Sequence, residues 1–130
     1  MISNSKQNIT AIDLVQRSLL SCSKMTTIYQ AAMKIREKNT SSILIMSNEK
    51  VIGIWTEADS KKLNFDAINY YDTPIHKFMS TPVITINEQM PLQEIIMTFH
   101  RHRVRHLLVV NSEKQMIGIV SQSDVIKKQG

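Results

Sequence analysis

Apolar residues recur along this chain in two rhythms, and the pair of rhythms repeats in the same order. Ile28, Ala31, Ala32 and Ile35 fall at i, i+3, i+4 and i+7, the spacing of one buried helix face, and Leu92, Ile95, Ile96 and Phe99 reproduce it 64 residues later. Each predicted helix is followed by an apolar run at 43–46 or 107–110, a polar turn at 47–50 or 111–115, and a second run at 51–55 or 116–120. Runs this short, bounded by turn residues, predict strands buried on both faces. The second turn is one residue longer, so the offset between the copies grows from 64 to 65. With β-like stretches opening the copies at 19–23 and 83–86, each half reads strand, helix, strand, strand, helix.

Local signals fix the boundaries. Thr27 with Gln30 makes a capping box for the first long helix, and Thr10 with Asp13 a weaker one for an extra N-terminal helix over 11–17. Pro91 suits a first helical turn, and Thr73-Pro74 opens a short helix through 78–79. Residues 64–72 lack a period and are expected to form an ordered linker in which Tyr70 and Tyr71 pack. Halves of about 50 residues are marginal as independent domains. The expected fold is therefore α+β (mixed α/β), two βαββα repeats packed about a pseudo-two-fold axis. Repeat 1 with its N-terminal helix covers 1–65, a linker and short helix 66–78, and repeat 2 79–130.

Both second runs end alike. Gly53-Ile54-Trp55-Thr56-Glu57-Ala58-Asp59 and Gly118-Ile119-Val120-Ser121-Gln122-Ser123-Asp124 place a hydroxyl residue where a strand feeds a helix, and an aspartate three positions on. Hydroxyl-x-x-acid is a capping box that satisfies free backbone N–H groups. It is equally a binding arrangement: a carboxylate accepts from the vicinal hydroxyls of a ribose, and a hydroxyl at the positive end of a helix donates to phosphate. The two roles are compatible at one site, and the residues alone leave both open.

Charge changes this picture in one place. Much of the net charge of +5 sits in one segment, His100-Arg101-His102-Arg103-Val104-Arg105-His106. Arg103, Arg105 and His106 precede the core strand of the second half, where the first half has Asn39, Ser41 and Ser42. Asp124 would repel a neighbouring phosphate unless such cations compensated it. The cleft with Ser121 and Asp124 is thus expected to bind a phosphorylated ligand more tightly than that with Thr56 and Asp59. The same basic run also fits a solvated helix end favoured by the macrodipole. A nucleic-acid surface is the alternative from another class, though no aromatics interleave the run to stack bases.

Other classes find less support. Cys22 is the single cysteine, which excludes an internal disulfide and suits a reducing, cytoplasmic setting. No apolar run approaches the roughly 20 residues that cross a bilayer, and residues 1–7 lack the apolar block of a signal peptide. His100 and His102 lie two apart without an acidic or cysteine partner, so no metal site is expected. Trp55 reads as core. With three glycines there is no Gly-rich phosphate loop, and no nucleophile or acid–base constellation is visible, so an enzyme is not expected.

The two septets, with Ser80-Thr81-Pro82-Val83-Ile84-Thr85-Ile86, Arg105-His106-Leu107-Leu108-Val109-Val110 and Gln30-Ala31-Ala32, resemble a tandem pair of cystathionine-β-synthase (CBS) domains, a Bateman module, over roughly residues 15–128. The chain looks like the regulatory segments of bacterial signal-transduction proteins, and its second half like the nucleotide-sensing gamma subunits of AMP-activated protein kinase. The resemblance implies a regulatory ligand, AMP, ADP, ATP or S-adenosylmethionine, with no required cofactor. It places adenine against Thr81, Pro82 and Val83 in the second half, matched by Ser21, Cys22 and Ser23 in the first, and phosphates near Arg105 or His106. It further implies a homodimer and an output domain beyond Gly130 or on a separate protein. A ligand-free dimerisation module is the remaining alternative.

Overall fold

The computed structural model describes residues 8–17, 19–64 and 66–129. In chain order the elements are α1 (Ala11–Leu14), β1 (Ser21–Ser23), α2 (Ile28–Lys38), β2 (Ser42–Ser47), β3 (Lys50–Thr56), α3 (Glu57–Ser60), a 3-10 turn (Ile75–Lys77), β4 (Ile84–Asn87), α4 (Leu92–His102), β5 (His106–Val110), β6 (Met116–Ser121) and α5 (Gln122–Gln129). The expected βαββα order appears twice. The chain forms two compact units, one of residues 18–83, the other of residues up to 17 together with those from 84 onward.

In the unit of residues 18–83, β2 is the central strand, parallel to β1 and antiparallel to β3. Thr27 caps α2 as the sequence predicts: its hydroxyl accepts from the Gln30 N–H at 3.1 Å, and the Gln30 side chain accepts from the Thr27 N–H at 3.0 Å. Asn39 ends the helix in the left-handed region at φ 52°. Ile28, Ala31 and Ile35 pack with Ile43, Ile45 and Trp55, and Ile75 of the 3-10 turn belongs to the same cluster. Ile43, Leu44 and Ile45 are each at most 1% exposed, so β2 is buried on both faces. The β2–β3 turn is two residues long, with Asn48 at φ 51° and Glu49 at φ 65°, the positive-φ pair that tight hairpins require. Tyr29, Tyr70 and Tyr71 pack together, with ring centroids 4.6 Å apart for Tyr70–Tyr71 and 4.7 Å for Tyr29–Tyr71.

The second unit repeats this plan. Here β5 is central, parallel to β4 and antiparallel to β6. Ile95 and Phe99 of α4 pack with Ile86, Leu107, Val109 and Val120. Pro91 stands one position before the helical turn expected for it, as the N-cap residue, and its carbonyl accepts from the Ile95 N–H. Arg103 ends α4 in the left-handed region at φ 54°. The longer β5–β6 connection is held by Asn111, whose side-chain oxygen accepts from the Glu113 and Gln115 N–H groups, each at 2.9 Å.

Two departures from the sequence reading matter for the site. The N-terminal helix stops at Leu14 instead of Arg17, because Val15 is already extended and Gln16 exchanges two backbone hydrogen bonds with Ile119, at 2.8 and 3.0 Å. Accordingly α1, expected with repeat 1, contributes Ala11 and Leu14 to the core that holds repeat 2. Ser80 makes the same exchange with Ile54, at 2.8 and 3.1 Å. The segment preceding each unit's first strand in sequence thus pairs with the last strand of the other repeat's sheet, and 66–83 fold with repeat 1.

These edge segments run so close to the sheet that Gly53 and Gly118 have no room for a side chain. A Cβ at Gly118 would overlap the Gln16 backbone carbonyl, whereas one at Gly53 would meet the Met79 side chain, 2.7 Å from its Cγ. A flexible methionine can move; a paired carbonyl cannot without breaking the edge ladder. We predict that Gly118→Ala destabilises the chain by about 2–3 kcal/mol and Gly53→Ala by about 1 kcal/mol, the upper and lower parts of the overpacking range. Urea unfolding of both variants checks this, and equal losses would count against the backbone obstacle.

Candidate functional site

The two septets form two strand-to-helix corners of the same construction. At the first, β3 ends at Thr56 and α3 begins. Asp59 reaches back so that its Oδ2 accepts from the Thr56 N–H at 2.9 Å and from the Thr56 hydroxyl at 3.1 Å, while that hydroxyl accepts from the Asp59 N–H at 3.2 Å. At the second, Asp124 Oδ2 accepts from the Ser121 N–H at 2.8 Å and the Ser121 hydroxyl accepts from the Asp124 N–H at 3.2 Å. Both are complete capping boxes. Each aspartate is half-buried, so capping fixes the carboxylate without removing it from solvent.

The corners differ in what surrounds the carboxylate. Asp59 Oδ1 accepts no hydrogen bond within the described residues, since the Thr56 contacts all go to Oδ2. Both oxygens of Asp124 accept from the Gln16 side-chain amide, each at 2.9 Å. The hydroxyls differ in the opposite sense: that of Thr56 donates to Asp59, whereas that of Ser121 makes no such bond to Asp124.

The basic positions come to the second corner through strand register. His106 pairs with Ser121 across β5–β6, and the Arg105 carbonyl accepts from the Gln122 N–H at 3.0 Å. Gln122 also donates its side-chain amide to the Val104 carbonyl at 3.0 Å, tying the connection after α4 to the start of α5. Ser42 opposite Thr56, and the Ser41 carbonyl accepting from the Glu57 N–H, are the uncharged equivalents in the other unit. Arg103 and Arg105 are exposed and His106 is half-buried. Arg103 lines a cavity of about 520 Å³ between α4 and α5 with Ile96, Phe99, His100, Val125 and Ile126.

Thr81, Pro82 and Val83 follow Ser80 and belong to the unit of Thr56 and Asp59, not that of Ser121 and Asp124. The strand registers also correct the internal correspondence. Ser21 pairs with Leu44 and Thr85 with Leu108, so Ser21 matches Thr85, and the stretch equivalent to Thr81, Pro82 and Val83 is 17–19, not Ser21, Cys22 and Ser23. Sequence reasoning missed Gln16 altogether. Its only signal was position: it matches Ser80 across the repeat offset of 64.

The remaining candidates fall into the core. Trp55 is 1% exposed and packed within the first unit, with no free face for a base. Burial pushes the Cys22 thiol up from its ordinary value, which disfavours the reactive thiolate near neutrality. Among the described residues no group of three or more His, Cys, Asp or Glu is placed to hold a metal, and no helix is long and apolar enough to cross a membrane.

A duplicated βαββα pair with an acid-capped corner in each copy defines a class of paired module. The CBS domain family pattern matches residues 11–59 and 75–130, and the chain belongs to that family as a tandem pair. It is 28% identical over 123 residues to an uncharacterized protein of Methanopyrus kandleri, covering 93% of this chain and 63% of that one. The chain therefore spans less than two-thirds of that relative's length. A crystal structure of a CBS domain, NE2398, has 25% identity and TM-score 0.76, covering 93% of this chain and 97% of that one. A CBS domain protein from Pyrobaculum aerophilum complexed with AMP has TM-score 0.72 at 21% identity, with 89% of each chain covered.

Proposed function

We propose that this tandem CBS pair is a regulatory module that binds an adenine nucleotide, AMP, ADP or ATP, or S-adenosylmethionine, and controls an attached or partner signalling domain in the cytoplasm. The observation that carries the reading is the pair of capped, half-buried aspartates, Asp59 and Asp124, each fixed at a strand-to-helix corner where vicinal sugar hydroxyls can donate to it. For phosphates near Ser121, Arg103 and Arg105 are proposed as the cations and His106, opposite Ser121 in the sheet, as a hydrogen-bond partner. Thr81, Pro82 and Val83 are proposed for the base, acting with the corner of Thr56 and Asp59. The AMP complex of the Pyrobaculum relative supports the ligand class. Ligand acts by favouring one arrangement of the module over another.

A thermal-shift panel of AMP, ADP, ATP, S-adenosylmethionine and a short oligonucleotide tests this. At 100 times its Kd a true ligand stabilises the fold by about 2.7 kcal/mol, several degrees in Tm. We expect one adenine ligand to do so and Asp59→Ala with Asp124→Ala to abolish the response. A response to the oligonucleotide alone, lost with salt, would instead favour nucleic-acid binding through the basic run at 100–106. Silence to all of them would favour a ligand-free dimerisation module.

We further propose a homodimer formed through exposed apolar side chains of α4 and α5. Ile126 on α5 is 66% exposed and Met97 on α4 57%, apolar area that a second copy would cover. Light scattering after gel filtration should give a dimer for the parent chain and a monomer for Ile126→Glu; a monomeric parent contradicts it.

A further inference from the structure

The two corners are not equivalent, and the cause is Gln16. Its side chain spans 108 residues of sequence to place one amide nitrogen against both oxygens of Asp124, at 2.9 Å each. Only the NH₂ end of the amide can face a carboxylate at this distance, since its carbonyl end would set oxygen against oxygen. The contact is charge-assisted, the stronger class of hydrogen bond. It is also geometrically fixed at one end, because the Gln16 backbone is doubly paired with Ile119. An ionised carboxylate offers about four acceptor positions. Here the Ser121 N–H occupies one of them and the Gln16 amide bridges the two oxygens, as a vicinal diol would. A vicinal diol can bridge both oxygens of Asp124 only by displacing the amide.

Among the described residues the other corner has no such group. Ser80 stands where Gln16 stands, with the same double backbone pairing to the equivalent residue Ile54, but its side chain is two heavy atoms and makes no hydrogen bond to Asp59. No group among the described residues has to be displaced before Asp59 Oδ1 can accept.

We propose that Gln16 is an internal competitor for the diol position of Asp124, so that the Asp59 corner fills first and the Asp124 corner answers only at higher ligand concentration. The inference rests on the reading of both corners as nucleotide sites. It reverses the order expected from the basic residues alone: Arg105 and His106 attract a phosphorylated ligand, but the carboxylate that would grip its sugar is already bonded. Two corners of unequal affinity give a regulatory module two response thresholds for one ligand. Gln16 thereby sets the spacing between those thresholds.

The test uses AMP and isothermal titration on the whole chain. In an Asp59→Ala background, which leaves the Asp124 corner alone, adding Gln16→Ala should tighten AMP binding by about three- to tenfold, tenfold corresponding to about 1.4 kcal/mol. In an Asp124→Ala background, Ser80→Gln should weaken AMP at the Asp59 corner by a similar factor. A merely structural role for Gln16 would not produce tighter binding when its side chain is removed. Unchanged or weaker AMP binding on adding Gln16→Ala overturns the competitor role while leaving the nucleotide reading intact. AMP that binds neither the parent chain nor any variant overturns both together.

Discussion

A strand that turns directly into a helix leaves backbone N–H groups without partners, and at both such corners in this protein an aspartate supplies the acceptor. That constraint shapes each corner in full. It fixes the hydroxyl at Thr56 and Ser121, sets the acid three residues on, and brings a charged group to a half-buried position that would otherwise disfavour it. A cap of this kind is worth about 1 kcal/mol to the helix it starts. The same bonds that satisfy the backbone hold the carboxylate in one orientation, which the proposed ligand would not have to impose.

Duplication then supplies two corners, and unequal neighbours give them different chemistry. The threonine hydroxyl donates to Oδ2 of its own aspartate, and Asp59 Oδ1 accepts no hydrogen bond among the described residues. The serine hydroxyl donates no hydrogen bond among the described residues, while Asp124 is bridged by Gln16, and His106 and Arg105 join the corner through backbone pairing with Ser121 and Gln122. Neither difference disturbs the sheets, whose strand order, directions and bulge position correspond in the two units. The repeats diverge in the side chains around the two corners and agree where side chains meet the core.

Much of this was legible from the order of residues. Helical periodicity located α2 and α4, the pairing of Thr27 with Gln30 located a helix start, and the septets located both corners. These signals are local, written within one or two turns. What was not legible is long-range. Nothing in the composition of 15–17 says that Gln16 will pair with Ile119 instead of completing α1, because a single edge bridge has no period to betray it. The same is true of Ser80 and Ile54, so assigning α1 to repeat 1, and Thr81 to the corner of Asp124, followed sequence proximity where the chain follows exchange. The slip that matched Ser21 with Thr81 has the same origin: only the strand register, Ser21 with Leu44 and Thr85 with Leu108, fixes the correspondence.

We propose that an aspartate locked by a helix cap accepts hydrogen bonds from a nucleotide's sugar. Parallel calorimetric titrations with AMP and with its 2′,3′-dideoxy analogue test it most directly, since the two ligands share base and phosphate and differ only in the hydroxyls. Hydrogen bonds to a charged acceptor are worth about 1.5–3 kcal/mol each, so the account predicts that the dideoxy analogue binds at least about tenfold more weakly. Equal affinities would contradict it.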